Sequence, residues 1–147
     1  GYGMDVVLCP KDGDAVLTAI KREKPDVLLS DVFMPNNDIL GVLDSMKSTA
    51  ELGADMVKIH LLHVLRGTDL AEDYAAGKFE VLTPEHYIDL LEQCLRVLPP
   101  ELVVHRLTGD GAKRDLIAPL WSADKKRVLN AIRQRFEADE LIQGSKL

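Results

Sequence analysis

The stretch of residues 56–67, Met-Val-Lys-Ile-His-Leu-Leu-His-Val-Leu-Arg-Gly, restricts the fold more than any other part of the chain. Its long apolar run predicts a buried strand of a parallel sheet that is covered on both faces. The run carries His60, His63 and Arg66 toward its carboxyl end, which is where α/β folds usually contact ligands. Because residues three apart on a strand point to opposite faces, one histidine is expected to face a pocket while the other packs.

A second predicted strand, residues 102–107, repeats this plan and leads into a glycine-containing loop. Glycines let a backbone approach a ligand closely, and a carboxylate in such a loop is able to accept a hydrogen bond from a ribose hydroxyl. The alternative is an ordinary tight turn after a strand. The ligand-binding candidates of this second segment are His105, Arg106, Thr108, Asp110 and Lys113. Two strands that end in His and Arg suggest a site for a polar or polyanionic ligand.

The other candidates also have a structural interpretation. The backbone N–H groups around Arg66 and Thr68 could bind an anion, or Thr68 could simply cap a helix. His60 and His63 are too few ligands for a metal site, so we predict no metal and interpret them as hydrogen-bonded structural residues. The sequence contains no recognisable catalytic triad, phosphate-binding loop or zinc motif, and we assign no catalytic residue.

Length and composition limit the class of protein. A chain of 147 residues with 46% hydrophobic and 29% charged residues is typical of one globular domain. A net charge of −6 argues against general nucleic-acid binding, and no apolar run is long enough to predict a transmembrane helix. Cys9 and Cys94 lie far apart, so we interpret both as small buried hydrophobic residues of a cytoplasmic protein.

The order of predicted elements is β-α-β-α-β-α-α-β-loop-α, which indicates an α/β fold with right-handed crossovers. We predict a single compact domain, residues 1–147, with an open, mostly parallel sheet of about four strands and flanking helices, similar to partial-barrel or flavodoxin-like βα units. Thr68, Thr83 with Pro84, and Ser122 are the predicted helix starts, and the tail after Glu140 is predicted to fray. An uncovered sheet edge predicts pairing with a second copy.

Residues 24–35, Asp38 and Gly41 resemble the receiver domains of response regulators, closest to the sporulation type, so the resembling segment is residues 1–49. The resemblance implies Asp31 as phosphoacceptor, with Met34-Pro35 three residues later. The acidic pair that the family uses for Mg²⁺ has no match, and the later Ser/Thr and Lys of the family are also missing. Asp38 is followed by Ile39 where the family usually has glycine.

Residues 57–68, 98–100, 104–111, 116–122 and 126–132 carry a different resemblance. They are similar to the C-terminal part of an uncharacterised radical S-adenosylmethionine (radical SAM) family, related to coproporphyrinogen-oxidase and elongator-type enzymes, over residues 52–143. The resemblance implies strands of a partial barrel whose open end holds S-adenosylmethionine, and a [4Fe–4S] cluster held by three cysteines in a short loop. Two distant cysteines cannot form such a loop, so we expect neither cofactor chemistry nor independent catalysis from this chain.

The sequence therefore suggests a chimera or fused fragment, with a receiver-like segment 1–49 joined to a radical-SAM-like segment 50–147. The first functional hypothesis is a fragment that retains part of a nucleotide- or substrate-binding surface. The alternatives are a receiver-like signalling module that uses Asp31 as a switch, and an inert structural module.

Overall fold

The computed structural model describes residues 55–109 and 111–147, together with residues 18, 19, 22, 23 and 47. The chain divides into two compact units, Gly1–Gly53 and Ala54–Leu147, and the architecture given below is that of the second unit. In chain order its elements are β1 (Met56–Lys58), β2 (Val64–Leu65), α1 (Asp69–Ala75), α2 (Pro84–Val97), β3 (Val103–Arg106), β4 (Leu116–Ala118), a 3₁₀ turn (Leu120–Ala123) and α3 (Lys125–Ala138). No helix of the described part has the length and apolar character needed to cross a membrane.

The strands of the second unit form two separate pairs. β1 pairs with β3 in parallel, with Met56 opposite Val103 and a bulge before Lys58, whereas β2 pairs with β4 antiparallel. The mixed α/β class is thus confirmed. The buried strand predicted within residues 56–67 is interrupted, because residues 59–63 follow β1 without strand structure and the chain then pairs with a different partner as β2.

A four-stranded, mostly parallel sheet is not what the described residues form. The other two predicted strands, near residues 6–9 and 26–31, lie outside the described part of the chain. The pairing of a bare edge with a second copy is not tested by one chain and stays a prediction. β4 was not predicted, because its three residues between a loop and Pro119 are too few to show a strand pattern.

Helix α2 organises the core. Thr83 accepts a hydrogen bond from the His86 backbone N–H at 3.2 Å and Pro84 occupies the first turn, which confirms the predicted start. Its buried face includes Tyr87, Leu91 and Cys94. These side chains form one apolar core with the buried residues of the neighbouring elements, which are Ile59, Leu61, Val64, Leu98, Leu102, Ala118, Val128 and Ile132.

The other two helices begin at local capping residues. Thr68 caps α1 as predicted, since its hydroxyl accepts from the Ala71 N–H at 3.3 Å and donates to the Leu65 carbonyl at 2.8 Å. The prediction that Ser122 caps the last helix is wrong. Asp124 caps α3 by accepting from the Arg127 N–H at 3.1 Å, while the Ser122 hydroxyl donates to the Pro119 carbonyl inside the preceding 3₁₀ turn.

The prediction of a frayed C-terminal tail is also wrong. The Gly144 and Lys146 N–H groups donate to the carbonyls of Leu95 and Arg96 at 3.0 and 2.8 Å. These carbonyls belong to the last turn of α2, where a helix has acceptors without internal partners. The tail therefore completes the hydrogen bonding of α2 in place of a glycine cap.

Arg96 joins the end of α2 to the chain after α3. Its guanidinium contacts Glu92 Oε1 at 2.7 Å, the Asp139 carbonyl at 3.2 Å and the Ser145 hydroxyl at 3.2 Å. Five donors in a planar fork allow arginine to hold three acceptors at once. The Glu92 side chain is only 14% exposed, which reduces the screening of this ion pair by solvent.

Candidate functional site

The two polar segments singled out in the sequence meet at the carboxyl ends of β1 and β3. A methyl group built on Gly111 would lie 2.8 Å from His63 Cδ2 and 2.9 Å from Cγ. One built on Gly109 would lie 2.8 Å from His63 Cε1 and 3.1 Å from Nδ1. The imidazole ring therefore lies directly against the backbone at both glycines. Because glycine has no side chain, the backbone at these two positions is able to approach His63 this closely.

The parallel pairing of β1 with β3 creates this contact. The strands place Lys58 opposite Arg106, and the Ile59 N–H donates to the Arg106 carbonyl at 2.9 Å. Because parallel strands end at the same edge of a sheet, residues 59–63 and residues 107–109 leave that edge side by side. The half-buried His63 then lies between its own segment and the glycine loop.

The Tyr87 hydroxyl holds Leu107, the residue at the start of the glycine loop, in place. Its hydroxyl donates to the Leu107 carbonyl at 2.8 Å, and only 3% of the residue is exposed. Burial, and to a smaller extent the neighbouring Cys94, raises the pKa of Tyr87 well above its usual range, so the phenol stays protonated and remains a donor. Sequence reasoning placed Tyr87 only on an apolar helix face. A hydrogen bond from its hydroxyl was predictable in general terms, because a buried tyrosine normally finds a partner for this group.

Trp121 supports Tyr87 from the side. The two rings lie 5.8 Å apart between centroids, and the Trp121 indole N–H donates to the Leu82 carbonyl at 2.9 Å. Trp121 therefore joins the 3₁₀ turn before α3 to the segment before α2.

Thr108 is the buried polar residue of the site. Only 6% of the residue is exposed, and its Oγ1 has no hydrogen-bond partner among the residues that the structure describes. It follows Leu107, whose carbonyl is already engaged by Tyr87, and precedes Gly109, which packs on His63. The backbone on both sides of Thr108 is thus held in place, while its hydroxyl makes no hydrogen bond to a described residue.

The structure separates the remaining candidates. His60, His105 and Lys113 are exposed, and Arg106 is half-buried at the end of β3. Thr68 acts as the helix cap described above. Arg66 is also exposed and belongs to the other strand pair, where its N–H donates to the Asp115 carbonyl at 2.7 Å.

Two candidates have no described position. Asp31, the phosphoacceptor candidate, and Asp110 both lie outside the residues that the structure describes. Of the described candidates, His63 packs on the glycine loop and Thr108 belongs to it, whereas Arg66 and Thr68 lie at the second strand pair.

An apolar groove of about 490 Å³ opens beside the same loop. Leu107 forms one wall, and α3 forms the other with residues such as Leu129, Ile132 and Phe136. Arg133 and Glu137 stand at its rim and pair with each other at 2.7 Å. Leu129 on this helix is 41% exposed, so the apolar face of α3 is only partly covered by the core.

The cysteines do not fit an iron–sulfur cluster. Such a cluster takes three or four thiolates, and the whole sequence has two cysteines. Cys94 is buried in the core, where burial raises the pKa of its thiol to about 11 and thereby opposes thiolate formation. Within the described residues no group of three or more His, Cys, Asp or Glu side chains is arranged to hold a metal ion.

Comparison with known proteins identifies relatives of the second unit. Residues 54–138 match the family described as the Radical_SAM C-terminal domain. The uncharacterised protein YtqA of Bacillus subtilis (strain 168) is 40% identical over 111 residues, which cover 76% of this chain and 34% of YtqA. Protein YhcC of Escherichia coli (strain K12) is 28% identical over 116 residues, covering 79% of this chain and 37% of YhcC.

A more distant match is Elongator complex protein 3 of Dictyostelium discoideum, 31% identical over 83 residues, which cover 56% of this chain and 14% of that protein. The chain spans about a third of the length of YtqA and YhcC. The predicted resemblance to the C-terminal part of radical SAM proteins is thereby confirmed over residues 54–138, whereas the receiver resemblance of residues 1–49 lies outside the family match and stays a prediction.

Proposed function

Since the chain belongs to the radical SAM C-terminal domain family through residues 54–138, we propose that this domain supplies part of the wall of a site for S-adenosylmethionine and substrate. The wall consists of His63, Thr108 and the backbone at Gly109 and Gly111. In this proposal the domain binds and orients the ligand, and it performs no cluster-dependent chemistry with its own residues.

The contact between His63 and the two glycines carries the proposal. It brings together two segments that are far apart in the chain, at the strand ends where open α/β sheets bind ligands. The loop is further fixed by Tyr87, so its backbone is preorganised before a ligand arrives. The apolar groove beside Leu107 and the unused Thr108 hydroxyl add the two surface types that small-molecule sites combine.

The [4Fe–4S] cluster of the family would need cysteine ligands that this chain does not supply. In this family the cluster supplies the electron that cleaves S-adenosylmethionine, and its thiolates would have to come from outside these 147 residues. The residues named here bear only on the binding of the ligand and on the exclusion of water from it.

Isothermal titration calorimetry of the chain with S-adenosylmethionine tests the proposal. We expect saturable heat with a micromolar to millimolar dissociation constant, because a partial site offers few contacts. His63→Ala should weaken this binding at least about tenfold by releasing the glycine loop. The matched control is Gln134→Ala, an exposed position on α3 that does not line the groove, which should bind as the unchanged chain does. The absence of heat at millimolar ligand would leave the domain a structural role only.

A further inference from the structure

The Thr108 hydroxyl is an unusual feature for a folded core. Buried polar groups are almost always hydrogen-bonded, since removing one from water without a partner costs free energy. Only 6% of the surface of Thr108 is exposed, and no described group bonds to Oγ1. A valine has nearly the same shape and would avoid that cost, so the hydroxyl needs an explanation other than packing.

We infer that Thr108 is a specificity-determining residue whose hydroxyl is completed by an uncharged hydrogen-bonding group of the bound ligand, an inference that rests on the proposed function. Thr108 stands in the chain between Leu107, whose carbonyl is held by Tyr87, and Gly109, which packs on His63, so its backbone is held on both sides. A rotation about χ1 moves it between staggered positions without moving the backbone. Among the residues that the structure describes, none pairs with Oγ1 in the free protein, and the ligand supplies the partner in the complex.

The chemistry of the neighbours indicates an uncharged ligand group. The described contacts at Leu107 and the two glycines come from the His63 ring, the Tyr87 phenol and the Leu61 carbonyl, which are aromatic and dipolar groups. A hydroxyl both donates and accepts one hydrogen bond, which suits a ligand hydroxyl, amide or ring nitrogen. A neutral hydroxyl brings no charge of its own to offset the lost hydration of a charged ligand group.

The inference predicts opposite effects of one substitution on stability and on binding. Thr108→Val removes the unpaired hydroxyl, so the free protein should melt about 4 °C or more above the unchanged chain. The same substitution leaves the ligand group unpaired, so its affinity should fall about tenfold or more. Thr108→Ser keeps the hydroxyl and should bind within about threefold of the unchanged chain.

The experiment measures thermal melting and calorimetric binding of S-adenosylmethionine for the unchanged chain and both variants. A stabilised Thr108→Val that binds as tightly as the unchanged chain would overturn the inference while leaving the proposed function intact. A destabilised Thr108→Val would also overturn it, because the hydroxyl would then have a partner within the protein. If the unchanged chain binds no S-adenosylmethionine, the proposed function fails and the inference fails with it.

Discussion

Replacing Gly111 with alanine tests whether the close contact with His63 is what shapes the loop after β3. The added methyl group would meet His63 Cδ2 at 2.8 Å, Cγ at 2.9 Å and Cβ at 3.3 Å. Contacts below 3.0 Å require movement. Cβ and Cγ lie at the root of the side chain, so a small swing of the ring tip cannot relieve them. The ring must leave its rotamer or the loop must shift.

The magnitude follows from two opposing terms. Overpacking of this kind costs about 1–3 kcal/mol. The φ angle of Gly111 lies outside the left-handed region, so alanine fits the backbone and restricts the unfolded chain, which stabilises by about 0.4–1 kcal/mol. The first term is larger, so we expect Gly111→Ala to lower the free energy of unfolding by roughly 1–2 kcal/mol.

Urea denaturation followed by the fluorescence of Trp121, the only tryptophan, measures this loss in the unit that contains the loop. The control is the same substitution in a His63→Ala background, where the ring is absent and alanine should be neutral or slightly stabilising. An equal loss in both backgrounds would refute the reasoning. Gly109→Ala should be rescued only in part by His63→Ala, because the Leu61 carbonyl remains 3.3 Å from its methyl group.

Three further outcomes are expected. Tyr87→Phe should lose about 1–2 kcal/mol in urea denaturation by leaving the Leu107 carbonyl unpaired. Because folding raises the pKa of Tyr87, the stability that this residue contributes is complete below the unfolded pKa of about 10 and is lost above it. Between about pH 9 and 11, the free energy of unfolding should therefore fall more for the unchanged chain than for Tyr87→Phe. Asp124→Ala should cost about 1 kcal/mol by uncapping α3, and a larger loss for Ser122→Ala would contradict the assignment of the cap. Acetyl phosphate with Mg²⁺ should leave Asp31 unlabelled, by mass spectrometry against an Asp31→Asn control, because the receiver's acidic pair has no match; a phosphoaspartate there would favour the receiver hypothesis.

Helix starts were predictable because their signals are local. Thr83 with Pro84, and Thr68, satisfy N–H groups only three residues away, so the short sequence pattern contains the whole interaction. Ser122 and Asp124 carry the same kind of signal two residues apart, and the sequence did not show which one ends the 3₁₀ turn and which one begins the helix. The β2–β4 pair and the docked tail depend on partners distant in sequence, which no local pattern contains.

The candidate site was predictable in its location but not in its contacts. Two strands that end in polar residues predicted that His63 and Thr108 lie at one sheet edge, which the pairing of β1 with β3 agrees with, and ligand binding at that edge stays a prediction. The sequence does not show that the glycines face an imidazole, since that depends on the register of β1 against β3. The Tyr87 hydroxyl bond was likewise hidden, because its acceptor is a backbone carbonyl that any residue could supply.

The parallel pairing of β1 with β3 also has a consequence for the order of folding. A parallel pair needs a crossover, and both α1 and α2 lie within the chain that connects these strands. Closing that connection costs chain entropy before any strand contact is gained, so local helical contacts are expected to form first. We therefore expect α2 to belong to the folding nucleus, with the strands joining later. Weakening α2 would then slow refolding, whereas weakening the β1–β3 pair would mainly speed unfolding.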